Sequence, residues 1–84
     1  MGKRVVFNKN ILGGKPRIAG TRISIELIMD MLAGGWKTSE ILKEYPTLKG
    51  DDVRAAIEYA AEKVRGERVF PVERKGNDLV LCLS

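Results

Sequence analysis

The sequence lacks the side chains on which most enzyme sites depend. It contains no histidine, and Cys82 is the single cysteine among its 84 residues. Without histidine there is no imidazole to act as a general base or a metal ligand, and one cysteine builds neither an internal disulfide nor a cysteine zinc site. We therefore expect no catalytic residue, no metal site and no cofactor. Cys82 stands in the apolar stretch LVLCL, where we expect a small buried side chain.

Long apolar runs are also missing. No stretch of the sequence approaches the length that a transmembrane helix needs. The first ten residues, MGKRVVFNKN, contain no apolar segment long enough for a secretory signal. We therefore expect a cytoplasmic protein with no membrane partner, and a lone cysteine is consistent with that reducing compartment.

Acidic residues are absent from the first quarter of the chain. Residues 1–22 carry six basic side chains and no acid, whereas residues 23–84 carry nine basic and eleven acidic side chains. A basic segment joined to a mildly acidic body is typical of a protein that binds a polyanion or an acidic protein surface. The alternative interpretation is an ordinary solvated N-terminal segment.

The segment GGKPRIAGTRI at residues 13–23 combines three glycines with basic side chains. It does not match the phosphate-binding P-loop, in which the lysine directly follows the last glycine, and the dinucleotide-binding glycine pattern is absent as well. We therefore interpret the glycines as turn formers that present Arg17 and Arg22. The candidate residues for binding nucleic acid or a protein partner are Lys15, Arg17, Thr21, Arg22 and Arg54.

The rest of the chain predicts three helices and a hairpin. Ser24 is a good N-cap for a first helix, and Thr38 or Ser39 is expected to cap a short second helix. Acidic residues at 51–52 favour the start of a third helix, which Gly66 is expected to end. Its apolar positions form one predicted stripe: Val53, Ala56, Ile57, Ala60, Ala61 and Val64. Two short strands are expected around the turn at residues 75–78.

These elements predict a mainly α protein, a three-helix helix-turn-helix (homeodomain-like) bundle with a small N-terminal β element and a C-terminal β extension. The predicted divisions of this single domain are a basic β/turn arm at 1–23, the bundle at 24–66 and a strand extension at 67–84. The third helix is expected to expose Asp51, Asp52, Arg54, Ala55, Glu58, Tyr59 and Glu62. Carboxylates on that face argue against direct reading of DNA bases. The carboxylate pairs spaced four apart (26/30, 40/44 and 58/62) are interpreted as solvated helix surface.

Three segments together resemble a known family: GGKPRIAGTRI, LAGGWKTSEILKEYPTL and DDVRAAIEYAAE. Their spacing is similar to that of the domain of unknown function 433 family, whose members are regarded as VapB-type antitoxins. The core at 14–22 and the Tyr45-Pro46-x-Leu48 turn carry the resemblance, which covers residues 5–62. It implies a helix-turn-helix fold, a homodimer, and inhibition of a PIN-like ribonuclease toxin, with the operon's own promoter as a second implied partner.

Two functions follow as hypotheses. The first is a non-catalytic antitoxin of a type II toxin-antitoxin pair, whose arginines approach the acidic site of the nuclease. The alternative is a stand-alone DNA-binding transcriptional regulator. The tail is expected either to close the domain or to dock on the toxin by strand addition through Val80, Leu81 and Leu83.

Overall fold

Four short strands form one antiparallel sheet that joins the two ends of the chain. The computed structural model describes residues 4–66 and 72–81. Within these residues, the strands are β1 (Val5–Phe7), β2 (Arg17–Ile18), β3 (Val72–Lys75) and β4 (Asp78–Leu81). Their order across the sheet is β2-β1-β4-β3. Strand β1 is thus an interior strand, with the hairpin from the far end of the sequence on one side of it.

Three helices lie between the strands in the part of the chain that the structure describes. They are α1 (Ile25–Ala33), α2 (Thr38–Glu44) and α3 (Gly50–Arg65), and a 3-10 turn covers Leu12–Gly14. The predicted mainly α bundle is therefore wrong, because the molecule is a mixed α/β fold. The N-terminal element and the C-terminal extension are two parts of the same sheet. Strands of two to four residues carry too little periodicity to reveal a partner so distant in sequence.

The helix boundaries follow local signals. Ser24 caps α1, its hydroxyl accepting a hydrogen bond from the backbone N–H of Leu27 at 3.0 Å. Helix α2 begins one residue earlier than predicted, with Lys37 as its N-cap, and the Glu40 carboxylate accepts the Lys37 N–H at 2.7 Å. Helix α3 ends at Gly66, which adopts a left-handed conformation with φ of 70°. Glycine reaches that region without the steric penalty that a Cβ imposes.

The core lies between the helices and one face of the sheet. Its buried members come from all three helices, from the loop between α2 and α3, and from strands β1, β2 and β4: Val5, Ile18, Ile25, Ile28, Met31, Ile41, Leu48, Val53, Ala55, Ala56 and Leu81. Val80 is buried as well.

Burial of β4 residues means that the hairpin closes the domain. Strand addition through Val80 or Leu81 is excluded, since β4 is paired on both edges, and Leu83 lies outside the described residues, as does Cys82.

Helix α3 is rotated relative to the sequence prediction. Asp52, Ala55 and Glu62, expected on the outside, are buried. Asp52 accepts a hydrogen bond from the Arg4 guanidinium at 2.8 Å and another from the backbone N–H of Lys49 at 2.8 Å. Glu62 pairs with Arg65 one turn later. The rotation leaves the C-terminal half of the predicted apolar stripe on the surface.

Candidate functional site

Arg17 lies inside the protein. We expected the turn to present this side chain, but only 5% of the residue is exposed. Its Nη2 donates to both carboxylate oxygens of Asp78, at 3.1 and 3.3 Å, and its Nε donates to the carbonyl oxygen of Thr21 at 3.0 Å. Arg17 therefore connects the glycine-rich turn to the C-terminal hairpin, and a partner does not reach it without rearrangement.

Thr21 is also occupied internally. Its hydroxyl donates to the carbonyl oxygen of Ile18 at 2.8 Å and accepts the backbone N–H of Ile23 at 3.0 Å. These bonds close the turn in which Gly20 adopts a positive φ of 77°. The Gly-Thr pair thus holds β2 in place for its pairing with β1.

Lys15 is exposed and pairs with the first turn of α1. Its ammonium nitrogen lies 2.8 Å from the Glu26 carboxylate. The hydrogen bond to Glu26, with the attraction between the two charges, raises the pKa of Lys15 above its ordinary value, and the same contact lowers the pKa of Glu26. Because both groups are exposed, water and salt screen the pair, and a binding partner can compete for either member.

Arg22 and Arg54 are the predicted site residues that face solvent without an internal ion pair. Both are exposed, and neither side chain makes a hydrogen bond or salt bridge to another residue within 4–66 and 72–81. Their guanidinium groups can therefore form bidentate bonds with a carboxylate or a phosphate of a partner. The structure thus separates the five predicted residues into an internal pair and three surface cations.

Helices α1 and α3 share an exposed apolar face, whose position was not predicted from the sequence. It is defined by Met29, Ile57, Ala60, Ala61 and Val64. Together with Arg65, these residues line a shallow groove of about 450 Å³. Val64 is 90% exposed and Ile57 is 44% exposed. The groove continues as a second hollow of about 430 Å³ toward Lys15. The stripe itself was visible in the sequence, but the rotation of α3 decides which of its members face solvent.

The part of the chain that the structure describes contains neither a cluster of metal-ligating side chains nor a helix able to span a membrane. Across 4–66 and 72–81, no three histidine, cysteine or acidic side chains come close enough together to hold a metal ion. Over the same residues, no helix has both the length and the apolar character required to span a bilayer.

Comparisons with known proteins place the chain in a family. One relative is the "Uncharacterized protein y4eO" of Sinorhizobium fredii, which is 34% identical over 65 residues. That match covers 76% of this chain and 29% of the relative, so the chain spans under a third of its length. No solved structure matches the chain. Residues 5–60 match the family described as "Protein of unknown function (DUF433)", and the chain belongs to that family.

Proposed function

We propose that the chain is a non-catalytic antitoxin that forms a homodimer and inhibits a PIN-like ribonuclease toxin. The observation that carries the proposal is the exposed apolar face of α1 and α3. A contiguous apolar surface on so small a domain is typical of a protein that works through a partner. Membership of the DUF433 family is consistent with this function, because the resemblance implies it.

The apolar face suits a second copy of the same chain. Ala60 and Ala61 lie at its centre, and small side chains there permit the close approach of another helix. Ile57 and Val64 stand on either side of that centre at equal spacing. An antiparallel pair of α3 helices therefore sets Ile57 of one copy opposite Val64 of the other, as a twofold interface requires.

The exposed arginines are suited to binding the toxin through ion pairs. A ribonuclease that holds metal ions presents a cluster of carboxylates, and Arg22 and Arg54 are free to pair with them. Arg17 is no longer a candidate for this contact, because Asp78 and Thr21 already bind it. Lys15 is available only in competition with Glu26.

The second candidate is a DNA-binding regulator. It is favoured by the succession of α2 and α3 with exposed cations at Lys43, Lys49 and Arg54. Against it, the first turn of α3, where a reading helix normally meets the bases, exposes the carboxylate of Asp51. Steep salt dependence of binding to the promoter would identify this function.

The deciding experiment combines the purified chain with the nuclease encoded by the adjacent reading frame. We expect a stable complex, suppressed RNA cleavage, and at least about tenfold weaker inhibition by the Arg22→Glu, Arg54→Glu variant, since two charge-assisted contacts are reversed. Lys37→Glu, Lys43→Glu, at two exposed positions, is the control with the same change in net charge. Undiminished inhibition by the double variant would contradict the assigned contact, and failure of the wild-type chain to bind would contradict the function.

Oligomeric state is measured separately by analytical ultracentrifugation. Val64→Lys is expected to convert the dimer to a monomer, because it introduces a charge into the apolar face. Leu27→Lys, on α1 outside that face and 37% exposed, is the matched control. A monomeric wild-type chain at tens of micromolar would contradict the homodimer.

A further inference from the structure

A third hollow, which shares no lining residue with the two at the apolar face, lies where the sheet ends beyond β1. It has a volume of about 400 Å³ and is lined by Phe7, Asn8, Lys9, Asn10, Gly14, Arg74, Asn77 and Leu79. We name it the sheet-end cleft. Its volume is within the range of small-ligand sites in proteins. None of the functions proposed above uses it.

Residues that are paired across three neighbouring strands form the floor of the sheet-end cleft. Phe7 on β1 is paired with Leu79 on β4, and Leu79 is paired with Arg74 on β3. Residues in register across neighbouring strands point to the same face of a sheet. An aromatic ring, an aliphatic side chain and a guanidinium group therefore form one row across three strands.

The cleft is rich in hydrogen-bond donors. Lys9 and Arg74 are exposed cations, and Asn10 and Asn77 add side-chain amides from the two turns that border it. Among the described residues that line it, none is acidic. Neither cation makes an ion pair within 4–66 and 72–81. Such a set of donors selects for an anion.

Asp78, which stands between the cleft residues Asn77 and Leu79, is already paired internally. Asn8 is 9% exposed, and its side chain accepts the backbone N–H of Asn10 at 2.8 Å and donates to Asp78 at 3.4 Å. Asp78 is in turn bound by the Arg17 guanidinium. The hydrogen bonds from Arg17 through Asp78 to Asn8 therefore fix the position of Asn8 in the lining of the cleft and occupy the Asp78 carboxylate internally.

We infer that the sheet-end cleft binds a nucleotide unit, a phosphate ester that carries a planar base. The phosphate is held between Lys9 and Arg74, since guanidinium and ammonium groups are the usual phosphate ligands. The base packs on the accessible part of the Phe7 ring, which is half-buried and also packs against the core, in the manner of bases on aromatic side chains in proteins that bind single strands. The asparagine amides of the two turns bond the edge of the base. A free nucleotide and one residue of a single-stranded nucleic acid share this chemistry.

The test is titration of the full chain, followed by NMR, with adenosine monophosphate, a short oligoadenylate and inorganic phosphate. We expect both nucleotide ligands to bind more tightly than phosphate and to shift the resonances of the cleft. Tighter binding of the oligoadenylate assigns the ligand to a single strand, and equal binding assigns it to a free nucleotide. Equal affinity for inorganic phosphate, or no binding of either nucleotide ligand, overturns the inference.

Variants distinguish nucleotide binding in the cleft from binding that depends only on the overall positive charge of the protein. Lys9→Gln, Arg74→Gln is expected to weaken nucleotide binding by about tenfold or more, with the loss of two charge-assisted contacts. The control Lys37→Gln, Lys43→Gln removes the same charge from exposed positions outside the cleft. Phe7→Leu is expected to weaken nucleotide binding and to leave phosphate binding unchanged. Equal losses in the cleft variant and its control, with the fold intact by circular dichroism, overturn the inference.

Discussion

At the scale of single residues, Arg17 shows how a partner distant in sequence changes the role of a side chain. Its guanidinium is buried, and Asp78, the carboxylate that balances it, stands 61 residues later. A buried charge is tolerated when it is paired and hydrogen-bonded. The pair therefore links the glycine-rich turn, strand β2 and the hairpin, and each depends on the others for its position.

We predict that Asp78→Asn destabilises the protein by about 2–3 kcal/mol, because Arg17 then keeps a buried charge without a counter-charge. The figure is below the range for a fully buried pair, since the Asp78 side chain is 30% exposed. Urea unfolding measures the change. Lys75→Gln, an exposed neighbour on the same hairpin, is expected to change the free energy of unfolding by less than about 0.5 kcal/mol. Equal effects of the two variants would contradict a structural role for the pair.

At the scale of elements, α3 shows that a clear apolar stripe does not fix which face of a helix is buried. Val53 and Ala56 enter the core, whereas Ile57 and Val64 remain on the surface. The Arg4–Asp52 contact anchors the first turn to β1, and the small Ala55 lets the helix approach its neighbours closely. The buried face is therefore chosen by an ion pair and by packing, and the remaining apolar residues are left for a partner.

The end of α3 provides a prediction about backbone conformation. Gly66→Ala is expected to lower the free energy of unfolding by about 1–2 kcal/mol, because alanine is strained at the φ of 70° found there. Gly50→Ala, at the first position of the same helix, is the control: alanine is the better helix former, so the change is neutral or stabilising by up to about 1 kcal/mol. Neither added methyl group meets a neighbouring atom within 4 Å. Thermal or urea unfolding of both variants tests this, and a Gly66→Ala protein as stable as wild type would contradict it.

At the scale of the whole molecule, the sheet decides the architecture. Strand β4 lies between β1 and β3, so the last described strand is held by the first. Residues 72–81 are thereby an integral part of the domain and complete its core. Removal of the tail to test toxin docking would also remove the partner of β1, so point substitutions are the better test.

Leu81→Ala is expected to destabilise the protein by about 2–4 kcal/mol, because the side chain is buried in the core and its loss leaves a cavity. Val72→Ala is the matched variant, since Val72 is the residue paired with Leu81 on the edge strand and is 52% exposed. Its loss should be under about 1 kcal/mol. Chemical denaturation measures both. If the tail were an appendage independent of the core, the Leu81 variant would unfold at the wild-type denaturant concentration.

Local signals in the sequence determined the ends of the elements. The caps at Ser24 and Gly66 and the hairpin around residues 75–78 were all predicted, because each depends on atoms within about one turn of chain. The exposed positions of Arg22 and Arg54 also agree with the sequence. These features rest on backbone conformation and short-range hydrogen bonding, for which a few neighbouring residues suffice.

The tertiary structure alone decided which elements meet. The pairing of β1 with β4, the buried face of α3 and the burial of Arg17 all depend on residues far apart in the chain. Strands this short have almost no residue pattern from which their pairing can be predicted. The sequence around a charged residue likewise does not show whether an oppositely charged side chain lies beside it in the fold. The fold class and the burial of Arg17 therefore follow from long-range packing, which local sequence patterns do not encode.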